Sequence, residues 1–319
     1  MNLYMAGFYA SNFDKHGTVY RRLSEVEKAA RDKIRFNLES YHYIAKGQAV
    51  NKIRRDGLRI FLDSGAFSSM TKGINVDLKA YCRFIQKNAD IVEKVDGVTM
   101  ASVLDSIALS EEARLTSVCK TWENQQAMER EGVRPLPCFH YGEDVKALDY
   151  YVANYEYITL GGMVPISTKQ LIIWLDRIFE EHICDGAGRL KTRVHGFGLT
   201  SLPLMKMFPW TSVDSSTWVL WSANGMILVP ELRGERRQVN ISEFSSSIKT
   251  EGRHFNTLAP IETQTIAQVI ERRGFEVERL RTEYSSRWAW NALAFQEEGE
   301  KSTMTTFHRQ QPELYDEAA

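Results

Sequence analysis

The stretch RIFLDSGAFSSM, Arg59 to Met70, decides how this chain is read. Ile60, Phe61 and Leu62 make a short, β-favouring apolar run, the pattern of a parallel-sheet strand buried on both faces. The run stops at Asp63, which places a carboxylate at the strand's end. Ser64-Gly65-Ala66 then lets backbone approach a ligand closely, and Phe67 is placed to close over it. An aspartate before Ser-Gly also caps a following turn or helix in many proteins. Recurrence favours the first reading, because VTMASVL ends in Asp105 and WTSV ends in Asp214.

Outward from this stretch, short apolar strands alternate with longer amphipathic helices, as in a parallel sheet of βα units. Strands are expected near Leu3 to Phe8, Ile60 to Asp63, Val98 to Leu104, Leu136 to His140, Tyr157 to Leu160, Val194 to Phe197 and Thr211 to Val213. An eighth is expected within Trp218 to Val229. Helical patterns cover 22–47, 76–89, 109–131, 144–153, 167–182 and 201–207. The count, and the lack of a GxGxxG after an early strand, favour an α/β fold of the (β/α)8 TIM-barrel type over an open doubly wound sheet. Gly225 to Ile241 reads as a β-hairpin insertion, and 261–272 and 276–296 as closing C-terminal helices. Residues 1–296 are therefore expected to form one barrel domain, and 297–319 a flexible acidic tail.

Composition sets limits. The chain has 319 residues, 43% apolar and 25% charged, enough for a large core. The N-terminus MNLYMAGFYASNF lacks a signal-peptide pattern, and no apolar run reaches the length of about 18 residues that a membrane span needs. A cytoplasmic protein, in the host cytoplasm if phage-encoded, with no membrane partner is expected. Cys82, Cys119, Cys138 and Cys184 form no CxxC pair, and His182-Ile-Cys184 has too few neighbouring ligands for a metal, so no zinc ribbon or disulfide framework is expected. Net charge is −1, but the segment from Gln296 carries −4, which leaves a mildly basic body at +3. Basic clusters at Lys52-Ile-Arg54-Arg55, Arg233-Gly-Glu-Arg236-Arg237 and Arg272-Arg273 suit phosphate contact or a solvated surface.

In such a barrel the active site lies at the C-terminal strand ends. The polar residues there are Asp63, Asp105, His140 and Tyr141, Gly161-Gly162-Met163, His195-Gly196-Phe197-Gly198 and Asp214. Carboxylates without a His-x-His or cysteine cluster suit acid/base and nucleophilic work better than zinc chemistry, with carboxylate-held Mg²⁺ left open. By strand alternation His140 and Tyr141 point to opposite sides, so one of the two reaches the site. Trp210, Trp218 and Trp221 read as packing residues.

These segments resemble, in order, the tRNA-guanine transglycosylases (queuine tRNA-ribosyltransferases) and the phage DNA-guanine transglycosylases of the DpdA group. DSGAF, Asp63 to Phe67, is similar to the family's Asp-Ser-Gly-Gly-Phe/Tyr motif, which implies Asp63 as general base, Ser64 and Gly65 in base contact and Phe67 stacked on the exchanged base. VLD resembles the strand end of a base-reading aspartate, here Asp105. CFHYG puts Tyr141 in the place of a base-reading glutamine, and LGGM resembles a Gly-Gly-Leu segment that contacts the base through Gly161, Gly162 and Met163. HGFG resembles Met-Gly-Val-Gly, which implies His195 on the base's second face, and SVDSSTWVLWSANG resembles the nucleophile segment, which implies Asp214 as nucleophile.

The chain also departs from the family. Ser215-Ser216-Thr217-Trp218 replaces the Cys-Val-x-Pro-x-Arg that follows the family's nucleophile, Ser68 replaces a glutamine, and the CxCxxC zinc subdomain is missing.

The chemistry itself asks for these residue types. Loss of a nucleobase leaves an oxocarbenium-like carbon that one carboxylate captures, and a second takes the incoming base's ring proton. A third accepts from the donor edge of guanine. The expectation is an enzyme that exchanges guanine in DNA for a free 7-deazaguanine base, with no cofactor, Arg233, Arg236 and Arg237 holding the phosphates, and tRNA a less favoured substrate. Alternatives are a tRNA enzyme without the zinc subdomain, an N-glycosidic hydrolase, and a non-catalytic module that binds 7-deazaguanine or nucleic acid.

Overall fold

A computed structural model describes residues 1–108, 113–199, 201–232, 237–302 and 304–308, with the backbone alone for Ser69 and Met70. The strands in chain order are β1 (Asn2–Ala6), β2 (Asn37–Ser40), β3 (Phe61–Asp63), β4 (Lys94–Val95), β5 (Val98–Thr99), β6 (Cys138–His140), β7 (Tyr157–Gly161), β8 (Arg193–Gly196), β9 (Ser212–Ser215), β10 (Met226–Leu228) and β11 (Gln238–Asn240). Seven of them form one sheet in the order β3-β2-β1-β9-β8-β7-β6, and every pairing in it is parallel. Parallel neighbours need long crossovers, and helices supply them, among them Ala49–Asp56, Leu78–Lys87, Arg114–Arg130, Val145–Asn154 and Thr168–Ile178. Asp77, Asp144 and Ser167 start three of these helices by accepting from a backbone N–H of the first turn.

The two edge strands both reach the segment Met100 to Ser102. The Leu62 N–H donates to the Met100 carbonyl at 2.8 Å and the Ser102 N–H to the Leu62 carbonyl at 3.0 Å. On the other side, the Leu136 N–H donates to the Ala101 carbonyl at 2.8 Å and the Val103 N–H to the Leu136 carbonyl at 3.0 Å. Both contacts are parallel bridges. The curled sheet is thus compatible with a TIM-type barrel.

Tyr4, Leu38, Phe61, Met100, Leu136 and Tyr157, one from each of six segments, form a buried cluster on one face of the sheet. Each such side chain contributes about 1.5–3 kcal/mol when fully buried. Alternate residues share a face, so Ser40, Asp63, Ser102, Cys138 and His140 lie on the cluster's side. Asp214, in register with Tyr4, lies there too. Since the strands are parallel, Asp63, His140, Gly161 and Asp214 stand at the same end of the sheet.

The structure corrects the strand assignment in three places, the first being Val98 to Leu104, of which only Val98–Thr99 is a strand, paired antiparallel with β4 outside the sheet. β2 lies inside the segment that reads as helix over 22–47, whereas Trp218 to Val229 adds no strand to the sheet. That later segment is a helix, Thr217–Ala223, followed by β10, which pairs antiparallel with β11 as the hairpin expected over 225–241. β2 is only NLES, with one apolar side chain, and Glu39 faces away from the cluster to accept from the backbone N–H groups of Tyr9 and Ala10. Four residues with that composition carry no period-two signal.

The chain divides into two compact units. Met1–Ser11, Phe36–Ser215 and the residues from Ser302 carry the sheet, while Asn12–Arg35 and Ser216–Lys301 make the second. In the second unit Trp218 stacks on Phe13 at 5.9 Å, and the Asn291 amide donates to the Ser222 hydroxyl and the Met226 carbonyl. The acidic segment after Gln296 is not a tail at its start. Tyr284–Lys301 is one helix that includes Glu297, Glu298 and Glu300, and residues 309–319 lie outside the description. Among the described residues no helix is long and apolar enough to cross a membrane.

Candidate functional site at the carboxyl ends of the strands

At the end of β3 the chain turns sharply. Gly65 has φ +77°, and a Cβ there would fall 2.6 Å from Ser40 Oγ and 2.7 Å from His42 Cβ, so only glycine fits. Its N–H donates to Asp63 Oδ2 at 3.0 Å. Ser64 is buried, donates its backbone N–H to the Ser102 hydroxyl oxygen at 2.9 Å, and donates its own hydroxyl to Asp105 Oδ1 at 3.1 Å. Burial, and then the nearby Asp105 and Asp214 carboxylates, push the Asp63 carboxyl up to about 7, against the Gly65 N–H. The three aspartates therefore share one electrostatic environment.

Asp105 also meets His140, whose Nε2 lies 2.9 Å from Oδ2. The other ring nitrogen lies 2.9 Å from Glu143 Oε1, and Glu143 Oε2 accepts from the His140 backbone N–H. Burial opposes a charged ring here. The Cys138 sulfur at 3.5 Å and the carboxylates of Asp105 and Glu143 outweigh it and hold the imidazole well above its ordinary pKa. Asp105, Cys138 and His140 do offer donor atoms within 4.8 Å of one another. Flanked by two carboxylates, the ring suits an ion pair when it is protonated and a metal ligand when it is neutral.

Tyr141 goes the other way. Its ring packs on Trp174 of the helix Thr168–Ile178, at 5.2 Å, and Phe139 stacks on the same indole at 6.2 Å. His140, not Tyr141, is thus the residue of this strand end that meets Asp105. Gly161 explains how His140 fits, because a Cβ there would lie 3.0 Å from both Cys138 Sγ and His140 Cδ2. Gly162, at φ +69°, continues the turn over His140, and Met163 is buried.

Asp214 sits at the end of β9 and accepts on Oδ1 from the Gly198 N–H at 2.9 Å and from His195 Nε2 at 3.2 Å. His195 is fully buried among Tyr4, Phe61 and Phe197, with ring centroids 5.9, 4.5 and 4.8 Å away. It is a support for Asp214 from within the sheet's buried face, not an open stacking surface. Burial lowers its pKa, only partly countered by Asp214. Its Nδ1 lies 2.7 Å from the Ser212 hydroxyl, which lies 2.6 Å from the Tyr157 hydroxyl.

Phe67 is 56% exposed, on the short helix Ala66–Thr71 beside Asp63, and is free to stack on a flat ligand. Arg233 and Arg236 lie outside the described residues. Arg237 is described, and its guanidinium pairs at 2.6 Å with Glu298, a buried acid of the last helix, so it serves the second unit's packing. Sequence reasoning missed the parts played by Glu143, Ser212 and Tyr157, and placed Gly198 at the site without its bond to Asp214. Glu143 follows His140 by three residues and Ser212 precedes Asp214 by two on the same face, the only local signals for either.

Comparison with protein-family models gives no match, and comparison with curated proteins gives none.

Proposed function

We propose that this chain is a transglycosylase that exchanges guanine in DNA for a 7-deazaguanine base through a covalent aspartyl-sugar intermediate, on a sheet closed into a (β/α)8 barrel by Met100 to Ser102. One observation carries the reading: Asp63, Asp105 and Asp214 stand at one end of a parallel sheet, close enough for the latter two to raise the pKa of Asp63. Three carboxylates in one electrostatic environment but with different hydrogen-bond partners suit three roles.

Asp214 attacks the sugar carbon as the glycosidic C–N bond breaks, its electron pair leaving on guanine, which takes the proton of Asp63. The incoming base then gives its ring proton to the Asp63 carboxylate, and its nitrogen displaces Asp214. Atoms and charge balance over the two steps. A carboxyl near pKa 7 is able to hold and to release that proton at neutral pH. Asp105, oriented by Ser64 and His140, accepts from the donor edge of the base, and exposed Phe67 offers it a stacking face. DNA is preferred to tRNA on the resemblance of the strand-end motifs to the phage DNA-guanine transglycosylases.

The test is to incubate the protein with labelled guanine-containing duplex DNA, single-stranded DNA and tRNA, with and without free 7-deazaguanine bases. Release of guanine coupled to uptake of the base supports the proposal. Release without uptake identifies a hydrolase, and binding of base with no release identifies a binding module.

A further inference from the structure

The hydrogen bonds behind Asp214 have a forced direction. A carboxylate only accepts, so the His195 Nε2 that faces Asp214 Oδ1 at 3.2 Å must carry hydrogen. A neutral ring then has a bare Nδ1, which must accept from the Ser212 hydroxyl at 2.7 Å. Serine has one hydrogen, so its oxygen must in turn accept from the Tyr157 hydroxyl at 2.6 Å. Tyr157, Ser212 and His195 are all buried, and the chain runs one way from the sheet's buried cluster to the site.

We infer that His195 is a positioning residue for Asp214: with Gly198 it occupies Oδ1 and leaves Oδ2 as the oxygen that attacks the sugar. Both described donors go to Oδ1, and among the described residues none donates to Oδ2. The ring cannot swing, because Tyr4, Phe61 and Phe197 hold it edge-on or tilted and Ser212 holds its far nitrogen. The same two N–H groups receive the negative charge that returns to Asp214 when the incoming base displaces it. Donors fixed before the charge develops need no reorganisation. The inference rests on the transglycosylase reading, and deepens it by assigning the two oxygens of one carboxylate.

Two measurements test it. Nitrogen-15 NMR of the full chain labelled at histidine should show His195 protonated at Nε2 and bare at Nδ1. In single-turnover assays, His195→Phe, which keeps a ring in the aromatic cage but removes the donor, should slow formation of the protein–DNA adduct by loosening Asp214, and should slow displacement of Asp214 from the adduct roughly a hundredfold, the cost of one such donor. Affinity for free base should stay unchanged. His195→Gln, which keeps a donor for Asp214 and an acceptor for Ser212, should recover most of the rate. A ring protonated at Nδ1 instead of Nε2, a phenylalanine variant as fast as wild type, or a glutamine variant as slow as the phenylalanine one overturns the inference. If the tautomer is as expected but wild type exchanges no base with DNA or tRNA, the transglycosylase reading falls, while the directed chain onto Asp214 stands.

Discussion

His140, the last residue of β6, and Asp105, just beyond the bridging segment Met100 to Ser102, meet at 2.9 Å through Nε2 and Oδ2, while Tyr141 turns its ring to Trp174. An ordered carboxylate is thereby backed by an imidazole whose pKa its surroundings hold well above the ordinary value, and the neighbouring aromatic is excluded from that contact. Asp105→Asn should therefore weaken binding of the free base by about 2–4 kcal/mol, because an amide donor then faces donors of the base. His140→Ala should weaken it as well, and Tyr141→Phe should change it by less than about 0.5 kcal/mol. Calorimetry with free 7-deazaguanine bases measures all three; a strong loss in the tyrosine variant alone would return the role to Tyr141.

Asp214→Asn should abolish adduct formation and turnover. Asparagine has nearly the same shape and keeps Oδ1 as acceptor for Gly198 and His195, so its cooperative melt should stay close to that of wild type. Denaturing electrophoresis with labelled DNA should trap a stoichiometric adduct with wild type and none with the variant. Exchange by the variant near the wild-type rate would remove Asp214 as nucleophile.

The two half-reactions should depend on pH in opposite senses. Guanine release needs Asp63 protonated, so its single-turnover rate should fall as pH rises through about 7, where this carboxyl is held. Base uptake needs Asp63 ionised, so its rate should fall as pH drops. Esterification removes the Asp214 charge that helps raise Asp63, and the uptake limb should therefore lie at lower pH than the release limb. Stopped assays on free protein and isolated adduct read the two limbs separately, and limbs of the same sense would exclude Asp63 from both proton transfers.

Arg237→Ala should destabilise the second unit, because Glu298 is only 2% exposed and the substitution removes a guanidinium that pairs with it. A cost of about 1–3 kcal/mol is expected, below that of a fully buried pair because Arg237 is partly exposed. DNA binding at two salt concentrations should be unaltered by this substitution. A reduced salt dependence with unchanged stability would show that Arg237 meets phosphate instead.

What the sequence determined by itself is the succession of strands whose apolar runs end in carboxylates or glycines. Burial of both strand faces leaves a continuous apolar signal at Ile60 to Leu62 and Tyr157 to Leu160, and the parallel order follows from the helices between them. The hairpin after Gly225 was equally legible. β2 was not, because NLES is stabilised by Leu38 against the buried cluster and by Glu39 on backbone N–H groups of a distant turn, and neither contact is local. Tertiary structure alone decided what each polar residue faces. Alternation says that His140 and Tyr141 part, but only the position of Asp105 and of the Trp174 helix says which goes where. The same holds for His195, whose neighbours Phe61, Ser212 and Asp214 come from other strands, and for Arg237, whose partner Glu298 lies 61 positions along the chain. A charge or a ring in a sequence has a chemistry, but its partner, and so its protonation and its role, is set by which strands and helices pack beside it.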